Sequence, residues 1–499
     1  MAVGPYDPQS YWLVRFVFQR GLGLLYLLAF VAAVRQFRPL AGEDGLLPLA
    51  EYREHIDLRE RPSLFYFFPD DRAVAIAGWL GVALSLLAVT GLSEQYGTAV
   101  SVGIWAMLWV LYQSFVNAGR TFYGFGWESM LLETGFLAIF LGASDVGVHA
   151  AVIWLLRWVL FRNMFGAGLI KLRGDDCWRD LTCMQYHYET QPMPNPLSWV
   201  AHHLPDRAHR WSVGVNHVVE LVIPFLYFAP QPYASIAGAV TIAFMGWLML
   251  TGNFAFLNAL TMVLAVSTFS DGVLTALLSV STPAVASVPP VLNGAVWLLL
   301  VVVLLLSYFP VRNLVSSSQA MNRGWDPLHL VNTYGAFGSI TKTRYEVVVQ
   351  GTRDEELTAD TEWETYAFPG KPTDTDRRPP QAAPYHLRLD WQLWFAAMSP
   401  GPRRHPWFVH LLAKLLAADE GVRALLRRDP FGDDPPTHVR ALRYRYRFTT
   451  PEERAETGDW WHRERVGTYY GPVSLADDGF RSVLRRRGWE VPDAKVLPE

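Results

Sequence analysis

Long apolar runs with almost no charge occupy this chain up to residue 309, near 12–34, 73–92, 98–118, 128–146, 150–171, 212–229, 234–251, 254–278 and 291–309. A bilayer core of about 30 Å needs roughly 20 mainly apolar residues in helical form. In lipid every backbone N–H and C=O must be bonded inside the protein. The runs therefore predict a polytopic α-helical membrane protein with about nine transmembrane helices. The first run has one feature of a signal peptide, since Arg15 and Arg20 precede an apolar stretch ending in small residues. It carries no convincing cleavage site and further helices follow, so we read it as a span.

Composition agrees with this class: 51% of residues are apolar and 20 are Trp, as in a membrane protein with a soluble portion. A net charge of −3 offers no basic arm to exchange counterions with phosphates, which argues against a nucleic-acid partner. After Arg312 charge rises, Pro and Gly cluster, and period-2 segments replace the apolar runs. The organisation expected is a multi-pass transmembrane domain over 1–315, with a distinctive loop at 171–210, and a soluble β-rich C-terminal domain over 330–499. Tyr345–Gln350, His386–Asp390 and Arg440–Phe448 alternate like half-buried strands, Trp407–Ala418 reads as an amphipathic helix, and 371–384 reads as a polar loop.

The chemically capable groups crowd into one place. Residues 165–199, FGAGLIKLRGDDCWRDLTCMQYHYETQPMPNPLSW, contain both cysteines and Lys171, the only lysine before Lys342. Lys171 is either a boundary cation reaching for headgroups or, in a dry pocket that favours its neutral form, a usable base. Cys177 and Cys183 lie six apart, so on a continuous helix they would face different ways and a bond between them needs a turn in WRDLT. The alternatives are a disulfide, which would place the loop in an oxidising compartment, and two buried thiols. His187, Glu189, His202, His203 and His209 offer metal ligands, but none has recognised spacing with the cysteines, and we predict no metal or cofactor site.

Ionisable residues inside apolar runs are costly and are functional candidates by default. Here they are Glu128, Glu133, Arg157, Arg162, His217 and Glu220. We expect Glu128, Glu133, Arg157, Arg162 and Glu220 to fix helix packing, with Glu133 facing Arg162. His217 and Glu220, three apart, share one helical face and could look into a polar cavity. No G-x-S-x-G elbow, H-E-x-x-H, P-loop or dinucleotide fingerprint occurs, which leaves a membrane-embedded site or a binding surface.

The string GLIKLRGDDCWRDLTCMQYHYETQPMPNPLSW, followed by NHVVELVIPF at Asn216–Phe225, resembles the lipase maturation factor family. WESMLLETGFLAIFL from Trp127, LTGNFAFLNALTM from Leu250, NTYGAFGSITKTRYEVVVQGT from Asn332 and YHLRLDWQLWFAAMSP from Tyr385 carry the resemblance through both parts of the chain. It implies a multi-pass membrane protein, resident in the endoplasmic reticulum in animals, that assists lipases to fold and assemble. It also implies that the loop from Gly174 to Trp199 and residues 330–499 face away from the cytoplasm. The loop charges point the other way. Arg35, Arg38, Arg53, Arg59, Arg61, Arg72, Arg120, Lys171, Arg173, Arg179, Arg207, Arg210 and Arg312 all fall on the face of the C-terminal domain, which a simple count makes cytoplasmic. We follow the resemblance, because large folded regions translocate regardless of charge and a paired Cys177 and Cys183 would suit that side.

Positive charge written almost wholly as Arg, with abundant Ala and Val, suggests a GC-rich bacterial genome and hence a plasma membrane. A shorter stretch, AGLIKL followed by an acidic residue and Trp178, is similar to vitamin K-dependent γ-carboxylases, whose catalytic lysine corresponds to Lys171. The chain departs from that stretch at Ile170 and in its cysteine loop.

The reading is a maturation factor that binds an exported, lipase-like client protein at the bilayer and is not an enzyme. Trp178, Tyr186, His187, Tyr188, Glu189, Pro192, Pro194 and Trp199 are its expected binding surface. The alternative is a membrane-embedded enzyme using Lys171 as base with His217 as partner. A third reading is an inert scaffold within a complex.

Overall fold

A computed structural model describes residues 11–489, so the outermost ends of the expected domains, 1–10 and 490–499, lie outside the described residues. Among the described residues six helices are long and apolar enough to cross a bilayer: Trp12–Ala41, Asp71–Thr90, Thr98–Ala118, Ala150–Arg173, Tyr233–Thr251 and Pro290–Val315. A seventh is reached if Leu257–Thr268 and Asp271–Leu278, bent by 114° at their junction, count as one broken span. The expected count of nine is not reached, because the other two runs fold into shorter helices. Gly126–Ala138 has 13 residues and Asp206–Leu221 has 16.

Each shortening has a local cause. Beyond Ala138 the chain leaves the helix towards a left-handed Gly142, and Arg15 gathers the freed carbonyls, donating to Val146 O (2.8 Å), Ser144 O (3.2 Å) and Leu141 O (3.3 Å). The Asp206–Leu221 helix breaks at Val222 and resumes as a single turn with Pro224 in its first positions, where the missing N–H costs nothing. At the bend after Thr268, Asp271 accepts hydrogen bonds from the N–H groups of Trp12 (2.6 Å) and Val14 (3.1 Å), so the second half of the broken span caps the first helix.

The helices approach closely where small residues allow it. Gly81 lies under the Phe30 ring and Gly23 against Ala88, joining Trp12–Ala41 to Asp71–Thr90. An aromatic core fills the bundle edge to face, with ring centroids 5.4 Å apart for Phe30–Tyr112 and 5.0 Å for Phe37–Phe115.

After residue 330 the chain builds a four-stranded antiparallel sheet in the order β2–β1–β3–β4. The strands are β1 Arg344–Thr352, β2 Glu364–Thr365, β3 His438–Phe448 and β4 Trp461–Val473. β4 is an edge strand whose exposed His462, Arg463, Glu464 and Arg465 discourage further pairing. Helices Arg388–Ala397 and Pro406–Leu416 pack against the sheet, so the region is β-containing rather than β-rich. Residues 386–390 were expected as a strand and instead lead into the first of these helices. Their polar members do not alternate out to solvent, since His386, Arg388 and Asp390 are all buried against partners elsewhere.

This region is docked on the helices, not tethered to them. Arg388 donates to Glu128 Oε1 (2.7 Å), which also accepts from the Tyr112 hydroxyl through its other oxygen, and the His386 imidazole lies 3.3 Å from the same carboxylate. Gln36 donates to His386 O (2.7 Å), and Trp489 Nε1 donates to Glu51 Oε1 (2.7 Å).

Candidate functional site

The cysteine loop starts where the Ala150–Arg173 helix ends. Asp175 caps a short turn, accepting from Cys177 N (3.2 Å), and Leu181 adopts φ +58°, which supplies the turn that the spacing of the two cysteines requires. Thr182 N and Cys183 N both return to Cys177 O, at 2.8 and 3.2 Å. Cys177 and Cys183 are joined in a disulfide, with Cα atoms 4.8 Å apart.

The loop then folds down between the helices and the sheet. Arg344 on β1 donates to the carbonyls of Glu189 (3.0 Å), Gln191 (2.5 Å) and Pro192 (3.3 Å), and is itself paired with Glu346. The Glu189 carboxylate accepts from Phe448 N (2.7 Å), and Trp199 Nε1 donates to Thr449 O (3.0 Å). Asn253 Nδ2 donates to Pro194 O (3.3 Å), and Trp178 Nε1 donates to Phe337 O (2.8 Å).

The consequence corrects the expected binding surface. Trp178, His187, Tyr188, Pro192, Pro194 and Trp199 are buried, and only Tyr186 and Glu189 are partly exposed. Aromatic and proline density in this loop serves packing against the C-terminal region. The exposed apolar residues here are instead Leu197, Val200 and Leu204, at the rim of the loop.

Lys171 sits beneath this loop and is fully committed. Its Nζ donates to Glu220 Oε1 (2.6 Å) and Oε2 (2.8 Å) and to Asn216 Oδ1 (3.0 Å), and lies 5.0 Å from the centroid of the Trp178 ring. Asn216 Nδ2 donates back to Glu220 Oε2 (2.9 Å), closing the triangle. His217 is not part of it. Its Nε2 faces Trp178 O (3.0 Å), and of the expected pair only Glu220 borders the neighbouring cavity, whose wall is mainly apolar. The anticipated partnership of Lys171 with His217 is therefore absent.

The remaining intramembrane charges hold the bundle together. Arg162 pairs with Glu133 as expected, and Glu133 Oε2 also accepts from Asn332 N (3.0 Å) and the Tyr334 hydroxyl (2.6 Å). Arg157 has no carboxylate partner among the described residues. It donates to Ser267 O (2.8 Å) and Tyr227 O (3.2 Å), capping carbonyls where two helices break. No group of His, Cys, Asp or Glu among the described residues is placed to hold a metal ion. Asn216, Asn253, Arg344, Asn332 and Tyr334 were missed by inspection of the sequence, because ordinary polar residues become distinctive only through partners remote along the chain.

Residues 13–276 match the family model for a lipase maturation factor transmembrane domain, and residues 330–471 match that for a lipase maturation factor C-terminal domain. Lipase maturation factor 1 of Homo sapiens is 42% identical, the match covering 97% of this chain and 91% of that protein. Lipase maturation factor 1 of Bos taurus is 41% identical, over 97% and 92% of the two chains. Lipase maturation factor 2 of Mus musculus is 29% identical, over 95% and 84%. No solved structure matches the chain significantly.

Proposed function

The chain belongs to the lipase maturation factor family, and from that premise we propose that it assists the folding and assembly of an exported, lipase-like client at the membrane, by binding and not by covalent chemistry. The observation that carries the choice is the closed triangle of Lys171, Glu220 and Asn216. A general base needs a free lone pair within reach of a substrate proton. Lys171 spends its donors on a carboxylate and an amide, so the base reading finds no support. The rim formed by Leu197, Val200 and Leu204, exposed by 40%, 51% and 37%, is the client-facing surface in this proposal. Buried aromatics and the Cys177–Cys183 bond keep it in place.

The division into a transmembrane domain ending near 315 and a C-terminal domain from 330 belongs to the same proposal, as does a plasma-membrane location in a bacterium. The disulfide supports an extracytoplasmic side for the loop and for the C-terminal region docked against it. Asp433, whose side chain is 98% exposed, gives a direct test of orientation. Asp433→Cys is expected to react with a membrane-impermeant maleimide in intact spheroplasts, and reaction only after lysis would reverse the orientation.

For the function itself, deletion of the gene from its host is expected to lower the activity of secreted lipase per molecule of lipase antigen severalfold, with recovery on re-expression. An unchanged specific activity would remove lipases as clients.

A further inference from the structure

Helices Ala150–Arg173, Asp206–Leu221, Tyr233–Thr251 and Leu257–Ala265 enclose a cavity of about 510 Å³. That volume falls within the roughly 300–1,000 Å³ of small-molecule sites. Val219, Val240, Phe244 and Leu248 make much of its wall hydrocarbon. At its rim Trp211, Val215 and Trp247 are exposed by 76%, 49% and 43%, and Trp247 lies on a candidate membrane span, so the mouth opens on the outer surface of the helices towards lipid.

The cavity wall also carries polar groups, and part of that polarity is unused. Asn258 is 2% exposed, yet its Nδ2 has no hydrogen-bond partner among the described residues. A buried donor left without an acceptor is destabilising, so a group that accepts from it is favoured there. His187, 7% exposed, lies with its ring 5.9 Å from Phe254 and 5.4 Å from Phe337, and its side chain forms no hydrogen bond among the described residues. Burial, and then the nearby Lys171 charge, push its pKa down to about 3, so it is a neutral donor and acceptor at physiological pH. Lys171 is already matched by Glu220. The polar lining therefore offers hydrogen bonds without an unbalanced cation, and an anionic headgroup would find no counter-charge.

We propose that this cavity binds an uncharged amphiphile entering from the bilayer, its tail among the helices and its hydroxyl or carbonyl head against the Asn258 side-chain amide and His187. The site is independent of the client-binding reading. Its chemistry is shared by acylglycerols and isoprenoid quinones, which separate probes distinguish.

Full-length protein in phosphatidylcholine nanodiscs is irradiated with a diazirine monoacylglycerol or, separately, with an azidoquinone, and the labelled peptides are mapped. Either probe is expected to label segments 163–171 and 240–258, with labelling reduced by its own unlabelled form and unaffected by phosphatidylglycerol. Whichever probe labels names the source. Asn258→Ala is expected to weaken that competition by roughly three- to tenfold, one hydrogen bond's worth, without lowering the melting temperature. Ala167→Phe, placed in the cavity wall, should abolish labelling there. Absence of labelling in the wild-type protein with both probes, or competition by phosphatidylglycerol, would overturn the proposal, and neither result depends on a variant folding.

Discussion

Glu128→Ala is expected to destabilise the protein by about 3–5 kcal/mol, the cost of stranding one member of a buried ion pair. Glu128 and Arg388 both have fully buried side chains. Without the carboxylate, the Arg388 guanidinium keeps the face of the Tyr123 ring, Phe122 O (2.9 Å) and a long contact to the Tyr112 hydroxyl (3.4 Å) but no counter-charge, while that hydroxyl loses its own acceptor. The loss falls at the seam between the helices and the C-terminal region, so the two should also separate. Thermal unfolding in detergent should show a lower midpoint, and limited proteolysis should release a fragment from about residue 330 onward. Glu128→Gln with Arg388→Met removes both charges and should recover much of the loss. A melting curve unchanged by Glu128→Ala would mean that the seam does not depend on this pair.

Lys171→Met should be comparably damaging, again about 3–5 kcal/mol, because Glu220 would be left charged and buried with only Asn216 beside it. The double substitution Lys171→Met with Glu220→Met should restore stability to near that of the wild type, since a buried pair exchanged for packed hydrocarbon is often neutral or better. Non-additivity of this kind, measured as a double-mutant cycle on unfolding midpoints, identifies the pair as structural. Additive losses would instead give each residue a separate role.

The spanning runs were legible because a bilayer-length apolar segment has few other uses, and Glu133 with Arg162 was legible because two opposite charges in lipid need one another. What failed were the inferences that depended on a third party. The run after residue 128 stays apolar as far as Leu141, but the chain leaves the helix after Ala138, and the carbonyls of Leu141, Ser144 and Val146 beyond it are met by Arg15, more than a hundred residues earlier. His386–Asp390 mimics a strand because a period-2 pattern is normally a sign of one wet face. Here the polar face is met by Glu128 and by the Gly370 N–H, which donates to Asp390 Oδ1 (2.6 Å). Trp178, Pro192, Pro194 and Trp199 had the composition of an interface, and they are one, but with the chain's own residues near 337, 344 and 449. His217 and Glu220 are near neighbours on one turn, yet a small angular offset sends one to the Trp178 carbonyl and the other to Lys171.

Client binding without base catalysis is tested most directly by maturation itself, in the deletion strain carrying the Lys171→Met, Glu220→Met double variant. With membrane levels and unfolding midpoint matched to the wild type, secreted lipase is expected to regain wild-type activity per molecule. A folded, inserted double variant that leaves the lipase inactive would contradict the account and return Lys171 to the chemistry.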